Sequence, residues 1–288
     1  MRISCFTFIR NGTRLAYPFV QSIRSALPLC DEFVVVAGDS VDDTRAQIAA
    51  IGDPKIRIVD TVWNPLMLTR GYIYAQQKMI GLFNCTGDWA FYLEGDELLH
   101  EDDIPKIRAS MERHLGYPEV EALYFDYIHF YGNPDWVNVS HTAYREEVRV
   151  VRNTLRIFTT GGLYFLVIDD KNSGRYPRAA SADARIFHYG YVRSGAALTR
   201  KDQDVLKFWG KKAEGEATYA KDARLLAPFT GTHPVVMKEW LATEANHDFT
   251  PERDPRPSRR TRKELLTRRI ESILPVDFSK RHFKRVKT

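Results

Sequence analysis

The stretch Glu32-Phe33-Val34-Val35-Val36-Ala37 limits the fold of this chain more than any other. Apolar, β-branched side chains with no polar alternation suit a strand covered on both faces, as in a parallel sheet with helices above and below. The surrounding sequence repeats the theme. Ile3–Ile9 reads as a first strand and residues 15–26 as a helix, with Leu15, Phe19 and Ile23 on one side, stopping near Pro28. Residues 44–50 follow as a helix, 56–60 as a third strand, 72–83 as a helix ended by Gly87, and 88–93 as a fourth strand. This alternation predicts βαβ units. The expected fold class is α/β, a Rossmann-like, mostly parallel sheet flanked by helices.

The second half is less regular. Residues 122–130, 147–151, 155–159 and 185–189 read as strands, and the charged segment 201–219 as a helix. Residues 251–258 form a Pro-rich linker, followed by a short amphipathic helix over 259–274. The expected organisation is therefore a main domain over 1–250 and a basic C-terminal helical tail over 251–288. Residues 251–288 hold 13 Lys/Arg against 5 Asp/Glu, whereas the rest holds 29 against 32. The formal net charge of +5 thus comes from the tail.

Several classes are excluded or disfavoured. No apolar run approaches the roughly 18–20 residues of a membrane span, and the apolar N-terminus is too short for a signal-peptide core. Cys5, Cys30 and Cys85 are odd in number and widely spaced, which offers neither a disulfide framework nor a CxxC metal motif. A cytoplasmic protein is expected, peripheral at the inner face of the membrane if the tail binds lipid. The three matches to the glycosylation sequon, at Asn11, Asn84 and Asn138, are then chance. No Walker loop, GxGxxG fingerprint or HExxH is present, and no folded element interleaves aromatic and basic residues, so nucleic acid is not an expected partner.

In an open parallel sheet, ligands bind beyond the carboxyl ends of the strands. Three polar groups fall there: Arg10-Asn11 after strand one, Asp39 to Thr44 after strand two, and Glu94-Gly95-Asp96-Glu97 after strand four. Two carboxylates separated by one small residue can face one hard divalent cation, Mg²⁺ or Mn²⁺, completed by substrate phosphates. Such an ion would neutralise a diphosphate leaving group. Taken alone, the same residues also read as a solvated acidic loop.

Gly87-Asp88-Trp89, the apolar strand after it and Glu94-Gly95-Asp96-Glu97 resemble the strand and Asp-x-Asp element of family 2 glycosyltransferases, which have the GT-A fold. Val34 to Thr44 resembles the second-strand motif of that family. Ile186-Phe187-His188-Tyr189-Gly190-Tyr191-Val192-Arg193 resembles the late His-Tyr-Gly element of a bacterial branch, as does Arg149 to Asn153. The resemblance covers about residues 1–210 and implies site roles. Asp96 is the principal metal-binding carboxylate, and Glu94 stands where relatives carry an Asp that contacts metal or ribose. His188 approaches the metal or diphosphate; its other reading is a satisfied core histidine. Arg10 and Asn11 border the nucleotide base, and Asp39 is a candidate base contact, displaced from the usual acid at the position of Ala37 or Gly38. Lys78 is a candidate phosphate contact, or else a solvated helix lysine.

An inverting transferase also needs a carboxylate base. Asp169 and Asp170, after the strand-like residues 164–168, are the candidates, with Glu97 conceivable but more suited to a structural role. The aromatic stretch 127–136 reads as an acceptor platform or as core. The basic tail, with Leu265, Leu266, Ile270, Ile273 and Leu274 on one side, suits an anionic membrane surface, a solvated tail or a helix packed back on the body. The leading expectation is a hexosyltransferase-like, metal-dependent enzyme. It would move sugar from a nucleoside-diphosphate sugar, a UDP-sugar first among them, to a saccharide or lipid-linked acceptor in surface polysaccharide or glycoconjugate synthesis. The alternatives are a sugar-1-phosphate nucleotidyltransferase and a non-catalytic, degenerate transferase acting as a binding module.

Overall fold

The computed structural model describes residues 1–286; Lys287 and Thr288, the end of the expected tail, lie outside the described residues. Its first half follows the expected alternation: β1 (Ile3–Ile9), α1 (Phe19–Ala26), β2 (Glu32–Ala37), α2 (Thr44–Ala50), β3 (Ile56–Asp60), α3 (Tyr72–Phe83) and β4 (Trp89–Tyr92). The short β5 (Glu97–Leu98) and α4 (Ile104–Leu115) come next, then β6 (Ala122–Tyr131), β7 (Asn133–Asn138) and β8 (Glu146–Arg152). A small antiparallel sheet holds β9 (Ile157–Thr160), β10 (Tyr164–Ile168) and β11 (Gly174–Arg175). The long β12 (Arg178–Tyr191), α5 (Gly195–Leu206), β13 (Leu226–Pro228), α6 (Lys238–Thr243), α7 (Arg259–Ile273) and β14 (Lys284–Arg285) complete the chain.

The main sheet runs β13-β7-β6-β8-β4-β1-β2-β3. β3, β2, β1 and β4 are mutually parallel, whereas β8 is antiparallel to both β4 and β6. The α/β class holds, with the parallel character concentrated in the first half. Every residue of β2 is buried, as its unbroken apolar sequence requires. Two buried clusters sandwich the sheet, one around Phe19, Ile23, Phe33, Phe91 and Phe125, the other around Phe6, Val34, Leu82, Tyr92 and Phe165. Cys5, Cys30 and Cys85 are buried and free.

Two helices differ from the sequence-based expectation. α1 begins at Phe19 rather than Leu15, because Pro18 has no N–H to donate one turn back. Residues 11–16 instead form a turn, closed by Leu15 N–H on the Asn11 carbonyl and Tyr17 N–H on that of Gly12. α5 begins six residues before Lys201, where the Ser194 hydroxyl caps it by accepting from the Ala197 N–H. The helical stretch ends at Gly210, whose φ of 68° is left-handed, far short of Tyr219. No helix among the described residues is long and apolar enough to cross a membrane.

Candidate active site

The turn after β4 is built around a charge pair. Glu97 is buried and takes both arms of Arg149, Nε to Oε2 at 2.8 Å and Nη2 to Oε1 at 2.6 Å, with a third bond from the Tyr127 hydroxyl at 2.8 Å. It also accepts the Glu94 N–H at 3.1 Å, closing the turn on itself. Burial opposes its ionisation, but Arg149 outweighs burial and holds the carboxyl below its ordinary range. With this frame fixed, Glu94 and Asp96 face a cavity of about 290 Å³ beyond the carboxyl ends of β1 and β4.

Asp96 is 3% exposed. Its Oδ2 accepts from Arg193 Nη2 and Lys201 Nζ, each at 3.2 Å, and its Oδ1 lies 3.6 Å from His188 Nε2. Burial opposes the charge, yet the Lys201 and Arg193 cations hold the carboxyl well below the usual range. Arg193 is fully buried, donates to the Leu15 carbonyl at 2.5 Å and lies over the Tyr17 ring, tying the turn of residues 11–16 to Asp96.

The hydrogen-bond partners assign the His188 tautomer. His129 and His188 sit opposite each other where β6 and β12 pair in parallel. His129 Nε2 lies 2.7 Å from the Tyr144 carbonyl, which only accepts, so that nitrogen carries the proton. Burial pushes His129 down to about 3, so it is neutral and its Nδ1 is a lone pair. His188 Nδ1, 2.8 Å away, must then donate to it. A neutral His188, which burial favours, keeps a bare lone pair on Nε2 facing the Asp96 carboxylate.

Two acceptors facing each other across 3.6 Å suit a cation between them. Gly190 keeps that space open, since a Cβ there would lie 2.6 Å from His188 Nε2 and 3.2 Å from Asp96 Oδ2. Among the described residues, no group of three or more His, Cys, Asp or Glu side chains is placed to hold a metal ion without further ligands. A carboxylate oxygen and an imidazole nitrogen at the edge of a cavity therefore fit an ion such as Mn²⁺ or Mg²⁺ whose remaining positions go to phosphate and water.

The structure brings the other expected residues together only in part. Arg10 and Asn11 line the cavity, as do Glu94, Asp96 and His188. Arg10 bonds Asp39 Oδ1 at 2.9 Å and lies over the Trp63 ring, so Asp39 orients Arg10 without lining the cavity itself. The Trp63 indole fills the space a side chain at residue 38 would need, which is why the acid stands one position later. Asn11 uses its Oδ1 to accept the Val41 N–H. Glu94 turns towards β8, where Arg149 Nη2 reaches its Oε1 at 3.2 Å. Burial and the Glu97 charge push its carboxyl up to about 7 against the pull of Arg149.

Three expectations are corrected. Lys78 is fully buried behind the cavity wall, donating to the Gly162 and Leu163 carbonyls with its amine over the Tyr92 and Phe165 rings, so it reaches no phosphate. Burial and the nearby Arg149 lower it to about 7. Asp169 and Asp170 sit at the far end of β10 from the cavity-lining Leu163, about 20 Å along the strand. Asp169 accepts the Lys171 and Ser173 N–H groups there, which is turn-building. The stretch 127–136 forms the β6–β7 hairpin and lines no part of the cavity, although Tyr127 and His129 support the residues that do.

Sequence reasoning missed the contribution of α5. Lys201, Asp204 and Val205 of α5, and Phe208 in the turn just past it, line the cavity at helical spacing, and Lys201 and Arg10 are its cationic lining among the described residues. That one-face spacing was the available signal. The supporting His129 had none, because its register with His188 spans 59 residues.

No protein-family model matches the sequence, and no curated protein matches it. Among solved structures, a fragment of S. aureus TarS is similar over 57% of this chain and 52% of its own length, at 14% identity and a TM-score of 0.37. Glucosyl-3-phosphoglycerate synthase from Mycobacterium tuberculosis, solved with Mn²⁺, uridine diphosphate and phosphoglyceric acid, is similar over 44% of this chain and 43% of its own, at 20% identity and a TM-score of 0.31. The chain thus spans about half the length of these structures, and similarities of this size do not by themselves show a shared overall fold or chemistry.

Proposed function

We propose that this chain is a GT-A-type glycosyltransferase that moves a sugar from a nucleoside diphosphate to an acceptor hydroxyl, assisted by Mn²⁺ or Mg²⁺. The observation that carries the reading is the pair of unshared acceptors, Asp96 Oδ1 and His188 Nε2, facing each other beside a cavity at the carboxyl end of a parallel sheet. Asp96 and His188 would hold the ion, which supplies positive charge to the diphosphate as it departs.

The chain's own residues divide the remaining work. Arg10, Asn11 and Trp63 line the β1 side, where the nucleoside would lie, and Lys201 adds a second positive charge next to Asp96 for the phosphates. Glu94 lies on the β8 side with Tyr144, where sugar and acceptor would meet. In the proposed step the acceptor oxygen forms a bond to the anomeric carbon while the bond from that carbon to the diphosphate oxygen breaks. The acceptor proton passes to Glu94, and attack opposite the leaving group inverts the anomeric configuration. The neighbours' UDP and UDP-sugar ligands make UDP-sugars the first donors to try. A screen of UDP-, GDP- and dTDP-sugars should reveal Mn²⁺-dependent donor hydrolysis with at least one, falling about a hundredfold or more in Asp96→Asn. Hydrolysis unaffected by this substitution would place the chemistry elsewhere.

A further inference from the structure

We infer that the outer face of α7 and the segment after it form a docking surface for an anionic lipid bilayer, bordering the cavity. The two acids of α7 both turn inward. Glu264 pairs with Lys221 and Arg260, and Glu271 takes both arms of Arg145. Arg268, between them on the same stripe, donates to the Arg224 carbonyl. About half a turn around the helix, Arg262, Leu266, Arg269 and Ile273 fall on one outward stripe at spacings of four, three and four. Of the expected apolar side, Leu266, Ile273 and Leu274 are exposed and Leu265 and Ile270 half-buried, so the helix does not bury that side against the body. It is anchored through its carboxylates and shows cations alternating with apolar side chains to the outside.

The exposed apolar surface continues past the helix. Leu266 is 60% exposed, Ile273 72%, Leu274 51% and Phe278 51%. Arg259, Arg262, Lys263, Arg269 and Lys280 are exposed and make no ion pair among the described residues. Large apolar side chains interspersed with long cations match an interface in which the apolar groups enter the acyl boundary and the cations meet phosphate headgroups. A second copy of the chain is a poorer occupant, because two-fold pairing of this face would set its cations against one another.

The anchors place this surface beside the cavity. Arg145, which holds Glu271 and Asp277, follows Tyr144 of the cavity wall. His282 stacks on Tyr164 at 4.3 Å, next to Leu163 of the same wall and itself exposed. A bilayer docked here would lie at the β8–β10 rim; that it presents a lipid-linked acceptor to the cavity rests on the transferase reading, whereas the docking does not.

The test is co-sedimentation of the full chain with vesicles of phosphatidylcholine, with and without phosphatidylglycerol. The chain should bind the anionic vesicles, release in high salt, and lose about twentyfold in partitioning in an Arg262→Ala, Arg269→Ala double variant. Leu266→Glu with Ile273→Glu should abolish binding, and unchanged thermal melting would show that these exposed positions do not hold the fold. Equal binding to both vesicle types, no binding to either, or wild-type partitioning by both variants overturns the proposal. So does self-association of the wild type, by light scattering, that the glutamates abolish, since the face would then join copies of the chain. Donor hydrolysis by the same variants separates this outcome from a failure of the transferase reading, because it should persist whichever way the vesicle result falls.

Discussion

His129 has one proton to place, and it goes to the Tyr144 carbonyl. Everything at His188 follows from that choice, including the lone pair that faces Asp96. His129 is therefore a positioning residue. His129→Phe removes the acceptor for His188 Nδ1, frees the other tautomer, and should weaken Mn²⁺ binding about 10–100-fold in a calorimetric titration. Unchanged affinity would mean that His188 does not need fixing. Glu94 supplies a pH signature. With its carboxyl pushed up to about 7, it is protonated and unable to accept a proton below that value. Transfer should rise with pH and level off above about 7. Glu94→Gln should remove this limb along with about 10²–10⁴ of the rate, and an unchanged pH profile would assign the base elsewhere.

Among the elements, β8 matters most to the turn after β4, through Arg149. Arg149→Met would leave Glu97 charged and buried without its partner, a loss of about 3–5 kcal/mol in a denaturant titration. Glu97 has a lowered folded pKa, so its stabilising share is present above the ordinary carboxylate value of 4.5 and is lost as pH falls through the lower folded value. The Arg149→Met penalty should therefore shrink in acid; a penalty that grows there would contradict the pairing. α5 contributes Lys201, whose amine lies near the Tyr17 and Tyr191 rings. Lys201→Met keeps a side chain of similar length, removes the charge, and should lower diphosphate affinity about tenfold both with and without divalent ion. The true extent of α5 was readable in principle. Ser194 as cap and Gly210 as stop are standard boundary signals, outweighed by the charged pattern of 201–219. The start of α1 at Phe19 was readable from Pro18 in the same way.

For the whole molecule, β1 to β4 were legible because each strand is a short, largely apolar run between turn residues; β1, β2 and β3 pair in chain order, and β4 joins the other side of β1. Arg10, Asn11, Glu94 and Asp96 were legible as cavity residues because strand ends in such a sheet are where ligands bind. His188 was legible as a cavity residue only through the motif around it. The rest depends on register. β12 pairs β6 in parallel with two shifts, so nothing in the order of residues announces that His129 meets His188 or that Arg193 meets Asp96. Lys78, Asp169 and Asp170 were misplaced for a related reason, since a charge in sequence does not say which side of a wall it occupies. Whether Asp96 and His188 hold an ion for a diphosphate is decided by calorimetric titration of UDP into the protein with Mn²⁺ and with chelator, for the wild type and for Gly190→Ala. The Ala methyl fills the gap between His188 and Asp96 without removing either donor. Metal-dependent binding that Gly190→Ala weakens sharply, in a variant that still melts cooperatively, is the predicted result. Binding that ignores Mn²⁺, or survives the methyl intact, would contradict it.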